Sequence, residues 1–185
     1  MKRTFLAVDI RPNEKMKEDF ELIRYRLRLE RINWVSAEHL HITTNFLGDT
    51  DEDLIPVMVQ RIEKSTTFLP AFELVIRSFG VFKNIQDPRV IWLGCDPCPV
   101  LHQIKTELDL VLSGLGFNAE TKGFLPHLTL GRVKNLRQAN QLSQLIALYK
   151  DVVFQKHWID QVIFYESRLT PAGPEYTRIK DFRLR

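Results

Sequence analysis

Two tripeptides carry residue types that could do chemistry together: His41-Ile42-Thr43 and His127-Leu128-Thr129. In an extended strand, residues two apart share a face. Each tripeptide would therefore aim an imidazole and a hydroxyl at one spot. Ile42 and Thr44 in the first motif, and Leu128 and Leu130 in the second, would turn to the packed side. Two such motifs facing each other suit in-line displacement at phosphorus, which needs a base on the attacking oxygen and an acid on the leaving oxygen. Histidine titrates near pH 6.5, so one ring can be neutral while the other is protonated. Thr43 and Thr129 can donate to the non-bridging phosphate oxygens as these gain charge. Arg132, on the same predicted strand as His127, could add positive charge. Such a set needs no metal, and none is expected.

Other chemical candidates are weaker. His39 stands two residues before His41, so the pair could form a metal clamp. The second motif has Leu125 at the corresponding place, which makes His39 a bystander at the rim. Cys95-Asp96-Pro97-Cys98 has the spacing of a thiol redox motif, but its counterpart in the first half, Asp9-Ile10-Arg11-Pro12, contains no thiol. A proline-containing turn accounts for it. Adding His102 gives three possible zinc ligands where a structural site uses four. Arg24, Arg28 and Arg31 share a helix face with Glu21 and Glu30 nearby and read as a solvated surface. Phe124 could stack on a base or pack in the core. Trp34 and Trp92 lie in strand-like runs and are expected in the core. His157 and Trp158 are assigned no role.

The elements that must position the two motifs repeat along the chain. Residues 4–12 read as a strand running into a turn. Met16, Phe20, Ile23 and Leu27 mark a helix, with Pro12 expected in its first turn. A strand over 40–48, a helix over about 49–65 containing Pro56, and a strand over 71–82 follow. From residue 90 the order recurs: a strand and turn to Pro97, a helix through Ile104, Leu108, Val111 and Leu115, a strand over 126–133, a helix with Asn135 as candidate N-cap, and a strand-like run over 152–167. A last strand occupies about 174–184. His41 and His127 lie 86 residues apart, and Pro12 and Pro97 lie 85 apart. The chain reads as one bilobal domain over 1–185, with repeats of about 1–84 and 85–170 joined through 83–89.

Composition is compatible with this. The chain has 185 residues, 44% hydrophobic and 26% charged, as expected of a globular domain. It has no apolar run of about 18 residues, so no membrane-spanning helix is expected. The apolar run after Lys2 and Arg3 alternates and ends at Asp9, which makes a poor signal peptide. Two cysteines do not make a disulfide framework. A cytoplasmic location is the expectation. A net charge of +3 permits an anionic partner but does not demand one.

The blocks around the motifs resemble a known family. "RTFLAVDI", "NWVSAEHLHITTNFLG", "RVIWLG" and "FLPHLTLGR" are similar to the 2H phosphoesterase superfamily, named for two His-x-Thr motifs, and within it to the RNA 2′,3′-cyclic phosphodiesterases, also called 2′-5′ RNA ligases. The resemblance spans nearly the whole chain. One departure is Thr44, where the family usually has an apolar residue. The resemblance implies an α+β, bilobal fold with pseudo-two-fold symmetry, a sheet with outer helices in each lobe and a cleft between them. It implies a cofactor-independent hydrolase that opens a 2′,3′-cyclic phosphate at an RNA end to a 2′-phosphomonoester. His41 would be the proton donor, His127 the proton acceptor, and Thr43 and Thr129 would hold the phosphate. The reverse reaction would join a 5′-hydroxyl end through a 2′-5′ bond. The implied partner is RNA with 2′,3′-cyclic phosphate or 2′-phosphate ends, with no membrane and no obligate protein partner. A sister enzyme acting on a small cyclic nucleotide, or an RNA-end-binding protein of low turnover, are the alternatives.

Overall fold

Met16, Phe20 and Ile23 recur at helical spacing and are buried along one face of α1 (Glu14–Arg26). Its N-cap is Asn13, whose side chain accepts from the Met16 amide at 2.9 Å, so Pro12 lies just outside the helix rather than in its first turn. The computed structural model describes residues 1–118, 123–171 and 173–185. Around α1 are β1 (Lys2–Asp9), β2 (Arg31–Trp34), β3 (His41–Thr50), α2 (Ile55–Thr66) and β4 (Phe72–Phe82). Then come β5 (Val90–Cys95), α3 (Pro99–Ser113), β6 (His127–Asn135), α4 (Ala139–Leu148), β7 (Val153–Ile159), β8 (Gln161–Thr170) and β9 (Gly173–Arg183). Pro56 falls in the first turn of α2, where its missing N–H costs nothing.

The strands form two antiparallel sheets, ordered β3-β1-β8-β9 and β2-β6-β5-β4-β7. Each of the first two strands of a repeat pairs with its own neighbour, β1 with β3 and β5 with β6. The third strand is exchanged: β4 pairs with β5, and β8 pairs with β1. The fold is thus the expected α+β arrangement with a sheet and helices in each lobe, but the chain repeats and the sheets do not coincide. The run over 152–167 is not one strand either. It breaks at Asp160, and its two parts enter different sheets.

One face of each sheet packs into a shared core that includes Leu6, Val8, Ile42, Ile91, Leu93, Leu128 and Leu130. Trp92 is not among them. It lies on the opposite face, with its ring over Gly80, where an added Cβ would come within 2.4 Å of the indole. The glycine is what lets so large a ring lie flat on the sheet. Trp34 does both jobs: it packs edge-on against Phe20 at 5.8 Å and also lines the cleft.

Two further details depart from expectation. Asn135 ends β6 and is not the N-cap of α4; Gln138 is, without a side-chain bond of its own. The missing partner comes from a distant residue, since the buried Glu30 carboxylate accepts from the Arg137 amide at 2.6 Å and the Gln138 amide at 3.1 Å. A carboxylate at a helix N-terminus is favoured by the unpaired amides and the helix dipole. Glu30 is therefore an internal cap rather than part of the solvated face beside Arg24 and Arg28. The short β2, unforeseen from the sequence, adds an edge to the second sheet.

Candidate active site

The motif residues sit on β3 and β6 at matching points. His41 and Thr43 are partly exposed while Ile42 and Thr44 are buried; His127 and Thr129 alternate in the same way with Leu128 and Leu130. Thr44 satisfies its buried hydroxyl by donating to the Leu6 carbonyl at 3.1 Å. That bond explains why a polar β-branched residue is accommodated at a position facing the core.

Both histidines are tied by the same backbone contact. His41 Nδ1 lies 2.7 Å from the His39 carbonyl oxygen, and His127 Nδ1 lies 2.8 Å from the Leu125 carbonyl oxygen. A carbonyl oxygen only accepts, so each Nδ1 carries the hydrogen. The opposite nitrogen, Nε2, is then the one that gains or loses a proton on each ring. His39 thus contributes through its backbone. Its side chain lines the cleft and meets the Tyr176 ring at 5.2 Å.

The ladders break once in each motif. Ala7 pairs with Thr43 and Leu6 with Asn45, so Thr44 is an extra residue; Trp92 pairs with Thr129 and Ile91 with Gly131, so Leu130 is. These bulges fall 86 residues apart, like the histidines. A bulge shifts the alternation by one. Strict alternation would bury Arg132 with Leu128 and Leu130; the bulge returns it to the cleft face, where it is exposed. Its counterpart in the first motif is Phe46, half exposed and likewise turned to the cleft. Phe46 was missed from the sequence, although the spacing that pairs the histidines also pairs it with Arg132. The bulge residue Asn45 points inward, where its amide nitrogen donates to Asp109 on α3 at 2.6 Å, and the Lys105 ammonium donates to the same carboxylate.

Two compartments meet at Thr43. One, of about 710 Å³, is lined by His41, Thr43, Thr129 and Arg132 and walled by residues 33–36 and the β8–β9 hairpin. The other, of about 330 Å³, is lined by Thr43, Phe46, Phe82, Phe124, Leu125 and His127. Phe124 therefore reaches the cleft beside His127, with its ring also 5.3 Å from that of His102.

Each imidazole rests on aromatics. Phe5 and Tyr176 lie 5.1 and 5.3 Å from His41, the latter edge-on, and Tyr165 lies 6.5 Å away. Phe82 meets His127 edge-on at 4.6 Å. The His41 pKa is pushed below its ordinary value, chiefly by burial; the backbone bond to His39 and the charge of Asp9 oppose this, and His39 and His127 reinforce it. The Cys95 thiol is pushed up to about 12 by burial and then by Cys98 and Asp96, so it is no thiolate near neutral pH. Cys98 is buried at the start of α3. Among the described residues, no group of three or more His, Cys, Asp or Glu side chains is placed to hold a metal, and no helix is long and apolar enough to cross a membrane.

Comparison with known proteins agrees with this geometry. The chain is 34% identical over 184 residues to an RNA 2′,3′-cyclic phosphodiesterase of Methanothermobacter thermautotrophicus, covering 98% of both chains. It is 36% identical over 180 residues to the protein of the same name from Methanocaldococcus jannaschii, covering 97% of this chain and 99% of that one. The crystal structure of TT0787 from Thermus thermophilus superposes with a TM-score of 0.77 at 24% identity, covering 99% and 98% of the two chains. The model of the 2′-5′ RNA ligase superfamily matches residues 12–168. With paired His-x-Thr motifs on equivalent strands of two sheets, the chain belongs to the 2′-5′ RNA ligase superfamily of 2H phosphoesterases.

Proposed function

We propose that this protein opens 2′,3′-cyclic phosphates at RNA ends, leaving a 2′-phosphomonoester, with His41 and His127 as acid and base. The observation that carries the proposal is the shared tether of the two rings. Each Nδ1–H is committed to a backbone carbonyl two residues back. Proton transfer is thereby confined to Nε2 on both, one ring from each sheet. His127 takes a proton from the attacking water, and His41 gives one to the departing O3′. Thr43 and Thr129 hold the non-bridging oxygens, and Arg132 meets their growing negative charge. The low proton affinity of free His41 suits a strong acid, and a bound phosphate anion would raise it again so that the ring is loaded when needed. With a 5′-hydroxyl end in place of water, the same groups would form a 2′-5′ bond. The names of the relatives and the cleft's cationic and aromatic lining support RNA as the substrate class.

The test is incubation with an oligoribonucleotide ending in a 2′,3′-cyclic phosphate, in chelator, with identification of the product end. A 2′-phosphate is expected. A 3′-phosphate product, or activity that returns only when a divalent metal is restored, overturns the proposal.

A further inference from the structure

His41 and His127 hold equivalent places against different backgrounds. Across the ladder, His41 faces Asp9 on β1, and His127 faces Gly94 on β5. Directly opposed residues of antiparallel strands present their side chains to the same side. The second sheet has no room for a carboxylate at this point: a Cβ on Gly94 would lie 3.1 Å from the Arg77 carbonyl oxygen and 3.2 Å from the Trp92 ring.

In the first sheet the carboxylate is held from two sides. The Tyr165 hydroxyl donates to Asp9 Oδ1 at 2.7 Å, and Arg178 donates to Oδ2 at 2.6 Å. Arg178 also donates to Asp181 at 3.1 Å, which divides its charge. Tyr165 is neutral near pH 7, because burial and the bond to Asp9 both push its pKa up. The groups facing His41 are therefore Asp9 on β1, Tyr165 on β8, Tyr176 and Arg178 on β9, His39 on its own segment and His127 across the cleft. Among these described residues, Asp9 is the one anion.

We propose that Asp9 makes the two histidines unequal: its carboxylate, fixed by Tyr165 and Arg178, favours imidazolium at His41 and so gives the first motif the proton-donor role. Asp9 acts through His41 and is a positioning residue. The inference rests on the two-histidine function proposed above.

The test follows His41 and catalysis separately. The midpoint of His41 is read by NMR titration in the wild type, Asp9→Asn and Arg178→Gln, and each protein's pH–rate profile is measured with a cyclic-phosphate oligoribonucleotide. Asp9→Asn keeps shape and hydrogen bonding but removes the charge. It should move the His41 midpoint to lower pH and carry the alkaline limb with it, costing at least about threefold in rate on that side, while the acid limb set by His127 stays. Arg178→Gln should move both to higher pH. Opposite shifts from two changes in one network are not what simple loosening of the fold would give. Unmoved His41 midpoints in both variants overturn the role of Asp9 and leave the two-histidine function standing. A shifted midpoint with an unmoved alkaline limb overturns His41 as donor, and the inference falls with it.

Discussion

The half of the cleft around His41 and the half around His127 share a ladder, a bulge and a backbone tether, yet are furnished differently. Behind His41, a small Ala7 is paired with Ile163, and Phe5, Tyr165 and Tyr176 enclose the ring. Behind His127, the large Trp92 is paired with Gly80, and Phe82 meets the ring in a close edge contact. Cross-strand pairs thus conserve total bulk while redistributing it. At the bulge exit, one half offers an aromatic ring, Phe46, and the other a cation, Arg132. The backbone repeats what both histidines need in common. The side chains supply what must differ between an acid and a base, and between a base-stacking wall and a phosphate-facing one.

Several changes would break or sharpen this contrast. The largest effect should come from the shared feature: His41→Ala and His127→Ala should each lower turnover of a cyclic-phosphate end by about 10²-fold or more. Comparable losses in both would confirm equal necessity; a loss in only one would leave the pairing without chemical meaning. Next, Arg132→Ala should lower kcat/KM by roughly tenfold and flatten its dependence on salt, since an exposed cation near phosphate acts through charge. Phe46→Ala should also weaken substrate binding, but leave the salt dependence unchanged. Kinetics at several ionic strengths separate the two.

A smaller effect is expected on stability. Gly80→Ala must displace the Trp92 ring and should cost about 1–3 kcal/mol, as overpacking does, whereas Ile163→Val, on the opposite half, removes one methyl and should cost about 0.5–1.5 kcal/mol. Denaturant midpoints measure both. His41 has a lowered pKa in the folded protein. Protonation therefore favours the unfolded chain, and its contribution is present above the unfolded value near 6.5 and lost as pH falls through the folded value. Stability should decline on acidification below pH 6.5, with a gentler slope in His41→Asn. The smallest effect is expected for His39→Ala, with turnover within about twofold of normal, because that residue acts through a carbonyl that alanine retains.

Much of the site was legible because its elements are local. Strand alternation places a His and a Thr two apart on one face, and the 86-residue offset pairs the copies. The bulges were not legible, because an extra residue is defined only against its partner strand. Arg132 was picked for its charge, although simple alternation would have buried it. Phe46, one repeat earlier, was overlooked for want of such a reason. Trp92 was misplaced because a large aromatic in an apolar strand suits the core, and only the neighbouring Gly80 shows how the other face accepts it. Glu30 and the α4 amides lie 107 and 108 residues apart, beyond any local capping signal. The exchanged third strands are likewise a matter of long-range pairing.

That exchange bears on what a half-length chain could do. Cut between β4 and β5, the first piece would keep β1 and β3 together but leave β1 without β8, and β4 without either neighbour. The second would keep β5 with β6 but leave an open edge where β4 had been. Each fragment carries one His-x-Thr motif and an unfilled slot shaped for a strand of the other. Severed in this way, the two pieces should be sticky and poorly folded alone, and should recover a working cleft when expressed together, each lending the other its third strand.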